Sequence, residues 1–327
     1  MGESGENVVI QSGDCTVTIL PALGGKIASI RVGAHELLQT PLRSYAPRTH
    51  IMSFSDADAS GWDECLPSVA ACALGTEAGS ANIPDHGDLW RVPWQVLNQS
   101  SDSATFRARC FSLPLQLTRS LILSESTSGW KLQLLYSLTN LGAYNVPWSW
   151  SAHPLFVVSS GDRILLPDSV HSLRLEGSGG NRLGSNGDTV SWPLAQLAQF
   201  VPPGESTTDL SLALSADTGV GDKLFAGPML EGWATLDRPS VGLSLTARFD
   251  PQLTPYLGLW ICYGGWPDEP GLKQVCVAIE PATAPVDSLA ETGPWSRSLE
   301  PGETFTWPLE LAITFVSQEQ RNRTSVI

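Results

Sequence analysis

Cysteine is sparse and scattered in this chain: six residues, at positions 15, 65, 72, 110, 262 and 276, with no Cys-x-x-Cys pair among them. That spacing excludes the disulfide framework of a small secreted domain and predicts reduced, buried thiols. Charge is scarce as well, at 16% of residues, and positive charge scarcest. The 19 Lys and Arg stand against 33 Asp and Glu, for a formal net charge of -14. Such a field repels phosphate backbones and anionic bilayers, which removes nucleic acid and membrane surfaces from the expected partners, whereas a neutral small molecule such as a sugar is indifferent to it. No uninterrupted apolar run approaches the roughly 18 residues of a membrane span. Residues 1–10 carry Glu3 and Glu6 without a cationic stretch leading into an apolar one, and Glu6 stands where a myristoylation signal needs a hydroxyl. A cytoplasmic location is the expectation. Gly-x-Ser-x-Gly and His-Glu-x-x-His are missing, and Gly177-x-Gly179 is followed by Arg182 where a dinucleotide loop needs its third glycine. Serine hydrolase, zincin and nucleotide-binding chemistries therefore lack their motifs. No internal repeat of fixed period is visible.

What is abundant is apolar residue in alternation. With 327 residues, 42% of them hydrophobic and 12 Trp against 5 Tyr, the chain has ample material for a large core. Cys15, Val17 and Ile19 share one face of a first strand, and Leu23-Gly24-Gly25 turns it into a partner over 26–32. Ala104, Phe106, Ala108 and Cys110 alternate with polar neighbours. The run 115–123 is followed by a long strand with Trp130, Leu132, Leu134, Tyr136 and Leu138 on one face and Lys131, Gln133, Ser137 and Thr139 on the other. Similar alternation recurs at 209–214, 232–237, 241–249, 256–263, 274–280 and from Phe305 to Phe315. The stretch 191–200 offers the one modest helix start, and 176–188, rich in Gly, Ser and Asn, reads as a flexible excursion. One all-β domain over 1–327, built of large antiparallel sheets, is the expected architecture.

Four places break the pattern with groups capable of chemistry. Asn82-Ile83-Pro84-Asp85-His86-Gly87-Asp88-Leu89-Trp90-Arg91 sets an imidazole between two carboxylates on a bend expected to lead into a strand over 89–97; Asp85 and Asp88 would favour the protonated ring. The same residues also suit a plain surface turn. Before it, the aperiodic stretch 40–61 is longer than an ordinary structureless loop and delivers Gly61-Trp62-Asp63-Glu64-Cys65, which is either a solvated turn or part of a site. His153 follows the aromatic run Val146-Pro147-Trp148-Ser149-Trp150. Glu280 shares a strand face with the small residues Cys276 and Ala278, which leave a hollow beside it, while Val275, Val277 and Ile279 take the other face.

His86 in Asp-His-Gly, His153 in His-Pro-Leu-Phe and Glu280 in Ile-Glu-Pro, in that order on a β background, resemble the galactose mutarotase-like family of aldose 1-epimerases; Trp260, on the strand before 275–280, is similar to the hexose-6-phosphate 1-epimerase branch. The resemblance implies a large antiparallel β-supersandwich and an isomerase that interconverts the α and β anomers of an aldose with no cofactor and no metal. It implies Glu280 as general base, His153 as general acid, and His86 as a partner that polarises the sugar near its ring oxygen. The family's sugar-binding arginine has no counterpart here. Asp63, Glu64 or Arg91 would substitute, and Asp237 would be the aspartate that contacts hydroxyls. Trp62, Trp90, Trp148, Trp150, Trp260 and Trp266 are candidate platforms for the sugar's C–H face. The alternatives are a sugar-binding module without turnover, an epimerase of hexose phosphates, and a metal site made of the two histidines and the glutamate.

Overall fold

The computed structural model describes residues 7–198 and 206–316. Among them it has 25 strands, four three-residue 3-10 turns and no α-helix. Eleven strands form one antiparallel sheet, in the spatial order Val8–Ser12, Cys15–Leu20, Lys26–Val32, Trp62–Cys65, Ser151–Val157, Val275–Ala282, Tyr256–Tyr263, Val220–Ala226, Ser172–Ser178 and Thr189–Ser191, with His35–Glu36 paired to the third. Eight more form a second sheet: Arg163–Leu165, Trp233–Arg238, Leu243–Phe249, Thr304–Phe315, Gly129–Asn140, Leu115–Ser126, Ser103–Arg109 and Gln95–Gln99.

The core lies between these two sheets because alternation aims one face of each inward. Ile19, Ile30, Val277 and Ile279 from the first sheet join Leu117, Leu132, Leu245 and Leu311 from the second in one continuous buried cluster. The hairpin of Leu115–Ser126 with Gly129–Asn140 keeps the register that its pattern predicts, pairing Leu115 with Asn140 at one end and Ser126 with Gly129 at the other. An ion pair crosses the core: Arg119 Nη1 donates to Glu64 Oε1 at 2.9 Å, and the same carboxylate accepts from Tyr136 Oη at 2.9 Å and Trp150 Nε1 at 2.8 Å.

Three expectations change. Trp62–Cys65 is not a solvated turn but a fully buried strand paired with Ser151–Val157. The stretch after Asp88 makes a 3-10 turn over Leu89–Arg91, and its strand begins only at Gln95. In place of a helix, Leu194–Gln196 pairs with Thr207–Asp209, with Ala195 buried and both its neighbours exposed; the rest of that expected helix, 199–200, lies outside the described residues. A ladder partner for a three-residue segment with its middle residue buried outweighs a weak helix signal.

Candidate functional site

The inward face of the eleven-stranded sheet feeds the core, so its other face is left to build something else. Strand register places Asp63 beside His153, Lys223 beside Trp260, Trp260 beside Ala278, and Gly258 beside Glu280 on that outer face. Gly258 leaves room there. A Cβ at this position would stand 3.0 Å from Glu280 Oε2, where the buried carboxylate needs room.

Two loops close over this face. The bend at His86 holds φ at 58°, followed by Gly87 at 68°, a left-handed pair that turns the imidazole inward. Gly87 packs so close that a Cβ would lie 2.2 Å from the Leu66 carbonyl oxygen. Arg91 locks the bend to the long connection before it: Nη1 donates to the carbonyls of Asp85 (2.6 Å) and Gly87 (2.5 Å), while Nε and Nη2 donate to that of Met52 (3.1 and 2.8 Å). The connection itself is anchored by buried charges. Asp58 pairs with both Lys26 (3.1 Å) and Arg48, and Lys26 also pairs with Asp63. Burial raises the Asp58 carboxyl, yet the two cations outweigh it and bring it down to about 2. So fixed, the connection presents Phe54, whose ring stacks on His86 with centroids 3.8 Å apart and 6° between planes, and meets His153 edge-on at 5.6 Å.

Between loops and sheet lies a cavity of about 390 Å³, a size typical of small-molecule sites. Phe54, Trp260 and Trp266 give it apolar walls; Asp85, His86, His153, Lys223 and Asp287 give it charge and protons. Trp260 is held by a hydrogen bond from Nε1 to Gln274 Oε1 at 3.0 Å. His86 Nδ1 meets Asp85 Oδ2 at 2.8 Å, and the two imidazoles stand 5.2 Å apart, nearly perpendicular. Burial raises the Asp85 carboxyl, but the hydrogen bond and charge of His86 bring it below the usual range.

Glu280 lies under the floor. It has no exposed surface; Oε2 accepts from Lys223 Nζ and from Ser151 Oγ (3.3 Å), and Oε1 stands 3.8 Å from His153 Nε2 with no hydrogen-bond partner. Burial works against the Lys223 charge, but Glu280 and Asp287 outweigh it and hold the ammonium above its ordinary range. His153 goes the other way. Burial first, then the charges of His86, Lys223 and Lys26, push its ring well below the ordinary histidine value, so it is neutral at neutral pH.

That depression has a consequence for stability. The unfolded chain takes up a proton on His153 below about pH 6.5, whereas the folded one resists until much lower, so the contribution is complete above pH 6.5 and is lost as pH falls below it. Denaturant titrations of the wild type and His153→Gln should show the wild type's margin over the variant shrinking from pH 7 to pH 5. A constant margin would contradict a neutral buried ring.

The structure thus brings His86, His153, Asp85, Trp260 and Trp266 to one cavity, with Glu280 directly beneath. Other expected contacts are corrected. Asp88 is fully buried and accepts from the backbone nitrogens of Phe111 (2.9 Å) and Ser112 (2.8 Å). Glu64 serves Arg119 in the core, Asp63 serves Lys26, and Arg91 serves backbone carbonyls. Asp237 belongs to the eight-stranded sheet, where Ser244 Oγ donates to it. Trp62, Trp90, Trp148 and Trp150 are buried side chains that do not line the cavity.

Lys223, Asp287 and Phe54 escaped sequence reasoning for different reasons. Lys223 sits on Val220–Ala226, a strand buried almost throughout and so without the alternation that marks a half-buried one. Phe54 lies in an aperiodic loop. Asp287 follows Glu280 by seven residues, and its nearness to an already suspicious carboxylate was the available signal.

Comparison with solved structures adds the fold's affiliation. The chain superposes on a protein from Synechocystis sp. PCC 6803 (TM-score 0.69, 16% identity, 96% of this chain and 99% of that one). It is similar to a provisionally named aldose 1-epimerase from Escherichia coli K12 (0.68, 17%, 95% and 99%) and to a galactose mutarotase related enzyme from Lactobacillus acidophilus (0.65, 16%, 95% and 98%). No family model matches the sequence, and a search of curated proteins finds no match to it. The architecture is a galactose mutarotase-like β fold.

Proposed function

We propose that this chain is an aldose 1-epimerase acting on a free sugar by acid–base ring opening and closure. One observation carries the reading: an imidazole oriented by a carboxylate, a second, neutral imidazole and a carboxylate–ammonium cluster converge on one aromatic-walled cavity of sugar size. Anomer exchange needs a proton removed from the C1 hydroxyl and another delivered to the ring oxygen, and both kinds of group are present. His86 is the better placed proton donor. Asp85 steadies a proton on its Nδ1 side, while Nε2 has no partner among the described residues. His153, kept neutral, suits a hydrogen bond to a sugar hydroxyl. These assignments exchange the roles that the resemblance implied for the two histidines. The aromatic walls suit the C–H face of a pyranose.

Charge selects among sugars. Lys223 is the only lysine or arginine lining the cavity among the described residues, and Glu280 already neutralises it, while Asp85 and Asp287 add negative charge. A phosphate group would find no free cation, which favours an unphosphorylated substrate. The Lys223 ion pair also supports a second reading, a sugar-binding module without turnover, since the ammonium occupies an oxygen that a base would need free.

Polarimetry on freshly dissolved α-glucose, α-galactose and other aldoses separates the two. Saturable acceleration of mutarotation is expected with at least one free aldose, and none with its 6-phosphate. Sugar binding without acceleration of any aldose would establish the module instead.

A further inference from the structure

We infer that Asp287, not Glu280, is the carboxylate that takes the C1 hydroxyl proton, with Lys223 and Glu280 as the positioning pair behind it. The inference rests on the epimerase reading and assigns its base.

Access decides between the two carboxylates. Glu280 has no exposed surface and does not line the cavity; the Lys223 ammonium lies on one of its oxygens and the other points at His153. Asp287 lines the cavity with a side chain about one-fifth exposed. Its Oδ1 is buried, without a hydrogen-bond partner, and 3.8 Å from Lys223 Nζ. Glu280 Oε1 is equally buried and without a partner, so it is the exposure of the Asp287 side chain at the cavity, not an open valence, that separates the two.

The residue is also held still. Its carbonyl oxygen accepts from the backbone nitrogens of Val69 (3.0 Å) and Ala70 (2.8 Å) and from Ser68 Oγ (3.1 Å), and its own nitrogen donates to Glu176 Oε1 (3.4 Å). A base fixed by its backbone loses little freedom when substrate arrives.

Charged groups face Asp287 from each neighbouring element: Lys223 and Glu280 from two strands of the floor, Glu176 from Ser172–Ser178, and His86 from the bend. Burial is the strongest influence. Together with Glu280 and Glu176 it outweighs Lys223 and His86, and the carboxyl is raised to about 6. A base near neutrality combines a useful ionised fraction with useful basicity.

The chemistry balances without a co-reactant. The C1 hydroxyl proton passes to an Asp287 oxygen, and the O–H electron pair becomes the second bond of the C1 carbonyl. The C1–O5 bond breaks with its pair on the ring oxygen, which takes the proton from His86. After rotation about C1–C2 the aldehyde recloses on its other face, both protons return, and Asp287 and His86 end as they began.

The test uses the full chain and a sugar on which the wild type is active. Mutarotation is followed from pH 4.5 to 8 for wild type, Asp287→Asn, Asp287→Glu and Glu280→Gln, with thermal melts and sugar affinity measured in parallel. In Asp287→Asn kcat should fall by about 10²- to 10⁴-fold, with melting and affinity nearly kept and the acid limb near pH 6 gone. Asp287→Glu should recover part of the rate. Glu280→Gln should keep an acid limb, shifted downwards because Lys223 then pairs with Asp287 alone. Wild-type rates in Asp287→Asn beside a dead but folded Glu280→Gln would overturn the assignment and return the role to Glu280. A wild type inert towards every aldose would instead overturn the epimerase reading, and this assignment with it.

Discussion

His86→Asn should lower kcat for mutarotation by about 10²- to 10⁴-fold, the usual contribution of one positioned acid. Asparagine is the informative replacement because it tolerates the left-handed backbone that His86 adopts at φ 58°, so the bend survives. It also offers an amide near the Asp85 carboxylate in place of the 2.8 Å contact from Nδ1. What it cannot do is carry and release a proton. Affinity should fall as well, by less, since the face-to-face contact with Phe54 at 3.8 Å is lost and the aromatic wall loosens. Stopped polarimetry and a binding isotherm measured on the same preparation read the two effects separately. A variant turning over within a few-fold of wild type would remove His86 from proton transfer and hand the acid role back to His153.

The second large effect concerns the core. Arg119→Met should cost about 3–5 kcal/mol of stability, the range for stripping one partner from a buried ion pair. Arg119 and Glu64 are both wholly buried between the two sheets, and Glu64, which burial already pushes upward against its partners, would keep only Tyr136 and Trp150. The guanidinium also covers the Trp94 ring, 4.7 Å from its centroid, a contact that methionine replaces only in part. Urea denaturation measures the loss. The double variant Glu64→Gln/Arg119→Met should be less unstable than the single one, because no uncompensated charge remains. Equal stability of wild type and Arg119→Met would mean that the pair is not buried as described.

Much of the architecture could be read from alternation alone. The hairpin over 115–140 and the turn at Leu23-Gly24-Gly25 are local statements, since a period of two and a glycine turn leave a strand few choices. The two faces of 275–280 were legible for the same reason: Val277 and Ile279 reach the core, and Cys276 and Ala278 form a separate cluster on the opposite side. Reading failed where burial erased the alternation. Trp62–Cys65 is buried on both faces, so its two carboxylates read as a solvated turn or part of a site when they are partners of Lys26 and Arg119. Asp88 and Arg91 look as reactive on paper as Asp85 does, and only the direction of the chain at the His86 bend separates a cavity residue from two structural ones.

The amino-acid order by itself determined that this is a β protein of large antiparallel sheets, because alternation acts within a few residues, and its motifs around His86, His153 and Glu280 were set apart by the family they resemble. Which carboxylates line the cavity was decided only in three dimensions. Lys223, from a strand with no distinguishing pattern, lies across Glu280 and leaves Asp287 facing the cavity. Ion pairing and solvent access depend on distances between segments far apart in the chain, and no local pattern encodes those distances.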